Sequence, residues 1–153
     1  TVTEMITGAD LVSLGIKVAA GEHLPFSQSE VQISGHAIQT RINAEDPFTL
    51  KPSPGRIWEC HWPGGPGVRV DTHSHTGYDM PPSFDSLLAK VIVWAPDREE
   101  AIAKMDAALA ETIIIGVDTL IPLHRAILAE PDFRNGDITI AYLDEHPGIL
   151  DGV

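Results

Sequence analysis

One cysteine, ten basic residues and no long apolar run set the first limits on this chain. Cys60 has no second thiol with which to form an internal disulfide. Such sparse use of cysteine fits a reducing compartment, so a cytoplasmic location is expected. The ten Lys and Arg stand against 22 Asp and Glu, for a formal net charge of -12. With no basic stripe to displace counterions, a nucleic-acid partner is excluded from the expectations. No apolar stretch reaches the roughly 20 residues of a membrane helix, so no membrane partner is expected either. The opening residues lack the basic start of a secretory signal, and Glu4 and Asp10 interrupt them. The missing initiator Met leads us to expect a chain cut from something longer. Internal repeats and low-complexity tracts are also absent.

What is present is ordinary for a globular protein: 43% hydrophobic and 21% charged residues. At 153 residues the chain can bury a real core, as one domain or one domain plus a stub of another. Thr7-x-x-Asp10 has the form of a capping box, and Gly21 is a natural stop after Ala20. Between them Leu11, Leu14 and Val18 line one face while Val12, Ile16 and Ala19 line another. A helix that is apolar nearly all round wants contacts on several sides. Residues 21–30 read as a connection, dividing the chain into a segment 1–30 and a main domain 31–150.

From Val31 the period changes to two. His36, Ile38, Thr40 and Ile42 alternate with Ala37, Gln39, Arg41 and Asn43. Further strands are read at 56–61 and 68–72, with a Pro/Gly loop at 63–67 between them, and a continuous apolar, buried strand at 87–94. Short links favour antiparallel pairing of the earlier strands. Asp97-x-x-Glu100 caps an amphipathic helix with Ile102, Met105 and Leu109 inward. A second helix starts near Thr119, takes Pro122 in its first turn and runs through Leu123, Ile127 and Leu128. Asn135-Gly136 marks a turn, and 138–143 is a short closing element of either type. The expected class is α+β, a small antiparallel sheet with packed helices.

His73 and His75 are two apart on a presumed strand, with Asp71 on the same face and His61 nearby. Alternate strand residues converge on a metal only if three ligands meet in space. The cysteine pairs or helical His-Glu-x-x-His that accompany zinc are missing, so no metal site is expected. Cys60 has no basic neighbour beyond His61, which argues against a catalytic thiol.

Periodicity leaves one feature unexplained: charged residues that recur on one strand face. They fall in Arg41-Ile42-Asn43-Ala44-Glu45-Asp46-Pro47, followed by Pro52-Ser53-Pro54-Gly55 and Gly64-Gly65-Pro66-Gly67-Val68-Arg69-Val70-Asp71. Val2-Thr3-Glu4-Met5, Ala19-Ala20-Gly21 and Gly35-His36-Ala37 precede or flank them. Gly77-Tyr78, Pro81-Pro82 with Asp85-Ser86-Leu87, Ala89-Lys90, Glu99-Glu100-Ala101-Ile102 and Gly116-Val117 with Thr119 follow. Each is weak alone. In this order and spacing they resemble the C-terminal part of biotin carboxylase, an ATP-grasp ligase of the acetyl-CoA and propionyl-CoA carboxylase type.

The resemblance implies that 1–30 end an ATP-grasp domain and that 31–150 form the biotin carboxylase C-terminal domain. It implies a ligase that uses MgATP and bicarbonate to carboxylate biotin on a carrier protein, in a setting such as fatty acid biosynthesis. The implied partners are the rest of the carboxylase chain, the biotin carboxyl carrier, a carboxyltransferase component and a homodimer mate. The carboxyltransferase chooses the final acceptor, so this sequence does not name it. In the family pattern, the arginine matching Arg41 lies near the biotin ureido oxygen and bicarbonate and steadies the enolate. A guanidinium suits this because it stays charged and presents a rigid fork of donors. Arg69 matches a dimer-interface arginine, and Ile140 an apolar wall of the adenine pocket. Asp85 lies in a stretch near the biotin site, where it orders a loop rather than reacts. Ala141 departs from the histidine often found there, which puts one nucleotide contact in doubt.

The plainer alternatives are an ion pair of Arg41 with Glu45 or Asp46, an ion pair of Arg69 with Asp71, and core packing of Ile140. For the whole chain the alternative is a structural or dimerisation module of the same fold without chemistry. ATP and Mg would be bound mainly by the region before Thr1, because Gly64-Gly65-Pro66-Gly67 is stiffened by proline and is no phosphate loop. No Ala-Met-Lys-Met biotinylation site is present. The isolated chain should therefore fold yet show no bicarbonate-dependent ATP cleavage. ATPase activity that follows the protein through gel filtration would overturn this.

Overall fold

The alternating stretch around Arg41 forms strand β1, His36–Asn43, in which Ile38, Thr40 and Ile42 are buried and Arg41 is exposed. The computed structural model describes residues 1–150. Strand β6, Leu87–Ala95, lies between β1 and β4, Val68–Thr72, and pairs antiparallel with both. Its near-continuous apolar run follows from this central place, since both faces are covered. On one face Ile38, Ile42, Ala89, Val91, Val93 and Ala95 meet Ala101, Ile102, Met105, Ala108 and Leu109 of helix α3, Arg98–Glu111. Leu128 of helix α4, Ile121–Ala129, completes that core. Helix α1, Val2–Thr7, lies against β1 and β6.

The expected strand at 56–61 is two strands. Residues Gly55–Arg56 (β2) pair with Asp79–Met80 (β5), and Glu59–His61 (β3) pair with Ile113–Ile115 (β7). Ile57 sits at the break, fully buried in a second cluster with Ala44, Met80 and Leu88. Its amide donates to the Tyr78 carbonyl at 2.8 Å and its carbonyl accepts from the Gly77 amide at 2.7 Å. A loop thus takes the bonds that a single strand would have used. The three small sheets are all antiparallel, and the α+β class holds.

Other expectations are corrected in detail. Thr7 closes α1 instead of opening a capping box; Asp10 is the N-cap of α2, Leu11–Ala19, and accepts from the Ser13 amide at 2.8 Å. The reciprocal capping box lies at Ser27 and Glu30, ahead of a single 3₁₀ turn. Helix α2 has no buried residue, and Leu11, Val12, Ile16 and Val18 remain exposed. The period-two segment begins at His36 rather than Val31, after Gly35 turns the chain at φ 67° where a side chain would collide with Trp94. His73 and His75 lie beyond the end of β4 and are not strand residues. The closing element is helical: α5, Pro131–Asn135, ends at Gly136 with φ 86°, and α6 spans Tyr142–Glu145. Ile138 and Ile140 between them are exposed, so Ile140 is not packed in a core.

Helix α3 depends on its cap. Asp97 is extended and its Oδ1 accepts from the Glu100 amide at 2.9 Å, satisfying a donor that the helix cannot. Asp97→Ala should cost about 1 kcal/mol, seen as a lower urea midpoint with an unchanged slope, while Asp97→Asn should lose less. Equal stability of all three chains would show that burial alone holds the helix start.

Candidate active site around Arg41

Residues directly opposite in an antiparallel pair share a face. Arg41 pairs with Lys90, and Lys90 with Asp71, so one row across three strands reads Arg41, Lys90, Asp71. Arg69 lies two residues before Asp71, opposite Ile92, on that same face. The core therefore covers one side of this sheet and charge gathers on the other.

These charges are unequally committed. Arg69 grips Asp71 with two bonds, Nε to Oδ1 at 2.8 Å and Nη2 to Oδ2 at 3.1 Å. Its Nη1 reaches Glu4 Oε2 at 3.3 Å, tying α1 to the sheet. Lys90 Nζ stands 3.5 Å from Asp71 Oδ2 and 3.5 Å from Thr1 Oγ1. Hydrogen bonds from Arg69, and then the charges of Arg69 and Lys90, hold the Asp71 carboxyl below the usual carboxylate range. The same contact raises Arg69.

Arg41 differs. Among the described residues its guanidinium makes no hydrogen bond or ion pair, and the two acids nearest in sequence are spoken for. Glu45 Oε1 accepts from Asn43 Nδ2 at 3.0 Å and from the Ser86 hydroxyl. Asp46 Oδ1 accepts from the Thr49 amide and hydroxyl at 2.7 and 3.0 Å and from the Phe48 amide at 2.9 Å, which together lower its pKa. The expected alternative, a strand ion pair of Arg41 with Glu45 or Asp46, is therefore wrong. The ion pair of Arg69 with Asp71 is present.

The backbone at Arg41 has its own supports. The β1–β6 register slips between Ile42 and Asn43, a bulge one residue beyond it. His124 Nε2 donates to the Arg41 carbonyl at 2.8 Å, and the Leu120 amide donates to the Asn43 carbonyl at 3.2 Å. Desolvation lowers the His124 pKa, with the Arg41 carbonyl opposing. Asp85 follows close by, because the Ala44 amide donates to the Ser86 carbonyl at 2.7 Å. Asp85 itself is exposed, and its Oδ1 accepts from the Leu87 amide at 2.8 Å, which turns the loop. Phe84, Tyr78, His73 and Pro81 join Asp85 around an open, mostly apolar hollow. Ile140 is fully exposed in the turn before α6.

Two residues escaped the sequence reading. Lys90 is the lone charge in an apolar strand, a signal that was legible. His124 carries none, since its link to Arg41 spans 83 residues. Among the described residues no three His, Cys, Asp or Glu side chains are grouped to hold a metal. None of their helices is long and apolar enough to cross a membrane.

The model of the biotin carboxylase C-terminal domain matches residues 39–145, spanning β1 to α6. The chain belongs to the biotin carboxylase C-terminal domain family. It is 49% identical over 148 residues to the biotin carboxylase of Haemophilus influenzae, covering 97% of this chain and 33% of that protein. It is 51% identical over 146 residues to the chloroplastic biotin carboxylase of Arabidopsis thaliana, covering 95% of this chain and 27% of that one. Among solved structures it is similar to the biotin carboxylase domain dimer of Hydrogenobacter thermophilus 2-oxoglutarate carboxylase, in complex with MgADP, ADP and bicarbonate. There the identity is 48%, the TM-score 0.95, and the match covers 99% of this chain and 34% of that one. The chain thus spans about a third or less of the length of the curated relatives it matches.

In this biotin carboxylase C-terminal domain the Arg69–Asp71 pair gives a pH test. A carboxylate with a depressed folded-state pKa adds stability above its unfolded value of about 3.9 and loses it as pH falls through the folded value. Asp71→Asn should be less stable than the parent near neutral pH by up to about 1 kcal/mol, because the pair is partly exposed. The gap should close on acidification below pH ~3.9. Urea melts across this range that show a constant gap would mean that Asp71 acts through shape and not charge.

Proposed function

We propose that this chain works as the C-terminal part of a biotin carboxylase, a ligase that uses MgATP and bicarbonate to carboxylate carrier-bound biotin, with Arg41 as its catalytic residue. The observation that carries this is the uncommitted Arg41 guanidinium, exposed on a well-packed strand while its neighbouring acids bond elsewhere. A cation left without a partner keeps its donors for an anion that arrives or forms. Removing the ureido proton of biotin places negative charge on the ureido oxygen. A guanidinium fixed beside that oxygen steadies it more in the transition state than in the ground state. The structural-module reading gives no reason for an arginine to stay unpaired.

The other assignments rest on the same reading. Asp85 orders the loop beside the biotin site, and Arg69 faces a homodimer mate, a role supported by its 44% exposed side chain and by the dimeric relative. Ile140 walls an adenine pocket together with residues outside this chain, in keeping with its full exposure. Segment 1–30 is the end of an ATP-grasp domain and 31–150 the C-terminal domain; the exposed apolar face of α2 supports this division. The Mg and the ATP phosphates are assigned mainly to the part of the enzyme outside this chain, and no step assigned to this chain runs through them. The carrier and a carboxyltransferase are the remaining partners. A single, unpaired cysteine, Cys60, accords with a cytoplasmic setting.

In the full-length protein Arg41→Ala should lower kcat for biotin carboxylation about 10²–10³-fold with little change in the KM for ATP. Arg41→Lys should recover part of the loss, because a point charge lacks the two-pronged geometry. A kcat unchanged by Arg41→Ala would leave the structural-module reading standing.

A further inference from the structure

We propose that His124 is a positioning residue for Arg41, acting from the free edge of β1; this rests on the catalytic reading of Arg41 above. Strand β1 is the outer strand of its sheet, with β6 on one side only. The ladder runs regularly through Arg41–Lys90 and Ile42–Ala89 and then slips before Asn43, where β6 carries the extra residue, Leu88. A bulge disrupts the ladder locally, so on its C-terminal side Arg41 has one regular pair, Ile42 with Ala89, before the pairing with β6 falls out of step.

The missing constraint comes from α4. His124 Nε2 lies 2.8 Å from the Arg41 carbonyl oxygen, and one turn earlier the Leu120 amide reaches the Asn43 carbonyl at 3.2 Å. The two bonds straddle the bulge. The helix that makes them is itself seated by buried Leu123, Ala126 and Leu128. His124 is a half-buried side chain whose pKa is held down by desolvation, and because a carbonyl oxygen can only accept, its Nε2 carries the proton and donates. The bond acts on the backbone of Arg41, leaving its guanidinium free. A long side chain magnifies any rotation at its Cα, and a displacement of about 1 Å at a reacting group can cost ~10² in rate. His124 thus fixes the aim of Arg41 without touching substrate.

The test uses four variants of the full-length protein: His124→Phe, His124→Gln, Arg41→Ala and the double variant Arg41→Ala/His124→Phe. His124→Phe should lower kcat for biotin carboxylation about 10-fold or more and leave the KM for ATP unchanged. His124→Gln, whose amide can donate from a similar place, should restore most of the rate. If His124 works through Arg41, the double variant should lose no more than Arg41→Ala alone. Losses that multiply in the double variant, or a normal kcat in His124→Phe beside a crippled Arg41→Ala, would overturn the inference and leave the function of Arg41 intact. A normal kcat in Arg41→Ala would overturn the catalytic reading itself, and the inference with it. Should His124→Phe not fold, His124→Ala takes its place in the same cycle.

Discussion

Packing of β6 between β1 and β4, with α3 on one face and α1 on the other, sets the positions of Arg41, Lys90, Asp71 and Arg69. Val91 and Val93 face α3 and are wholly buried while Lys90 faces the other way, so turning β6 over by one residue would drive Lys90 toward α3 and take Val91 and Val93 out of that core. Register is therefore strongly specified by the cost of burying charge. Because it is, Arg41, Lys90 and Asp71 fall in one row, and Arg69 is kept beside Asp71. The charged face is a consequence of the dry one.

That face shows how an acidic protein keeps one cation available. Acids outnumber bases by about two to one, so a free guanidinium would ordinarily find a carboxylate. Local geometry prevents it. Asp46 is used by the amides of its own turn, Glu45 by Asn43 and Ser86, Asp71 by Arg69 and Lys90, and Glu4 by Arg69 and the Leu11 amide. Each carboxylate is satisfied at short range, which leaves Arg41 no close partner among the described residues. Lys90, directly opposite, adds a like charge that disfavours folding Arg41 back across the sheet.

Much of this was legible in the sequence where a local pattern decides the structure. Strand β4 and the helix capped by Asp97 were read correctly because alternation and capping are local rules. The break at Ile57 was not legible, since both halves keep the look of a strand and only distant Met80 and Leu88 bury the residue between them. Strand β7 is three isoleucines with no alternation to read. Thr7 misled because a hydroxyl three residues before an acid also occurs at a helix end, where it bonds back to the Thr3 carbonyl. Arg41 stood out through its family context, not through periodicity. Its lack of a partner is a fact of tertiary structure, and so are the bulge beside it and the ring of His124.

The placement of Arg41 explains why a strand edge suits a side chain that must meet a developing charge. A loop would carry it with more freedom, and freedom at the Cα is lost precision at the guanidinium. A central strand would hold it still but would surround it with neighbours. An edge strand pinned on its open side by a helix gives both rigidity and access. The hydrogen bonds from Leu120 and His124 hold the β1 backbone at Asn43 and Arg41, on either side of the register slip. Electrostatic stabilisation in an active site depends on donors already aimed before charge appears, because reorientation during the reaction costs part of what the contact returns. In this domain the aim comes from backbone bonds, so none of the donors on Arg41 is consumed in setting it.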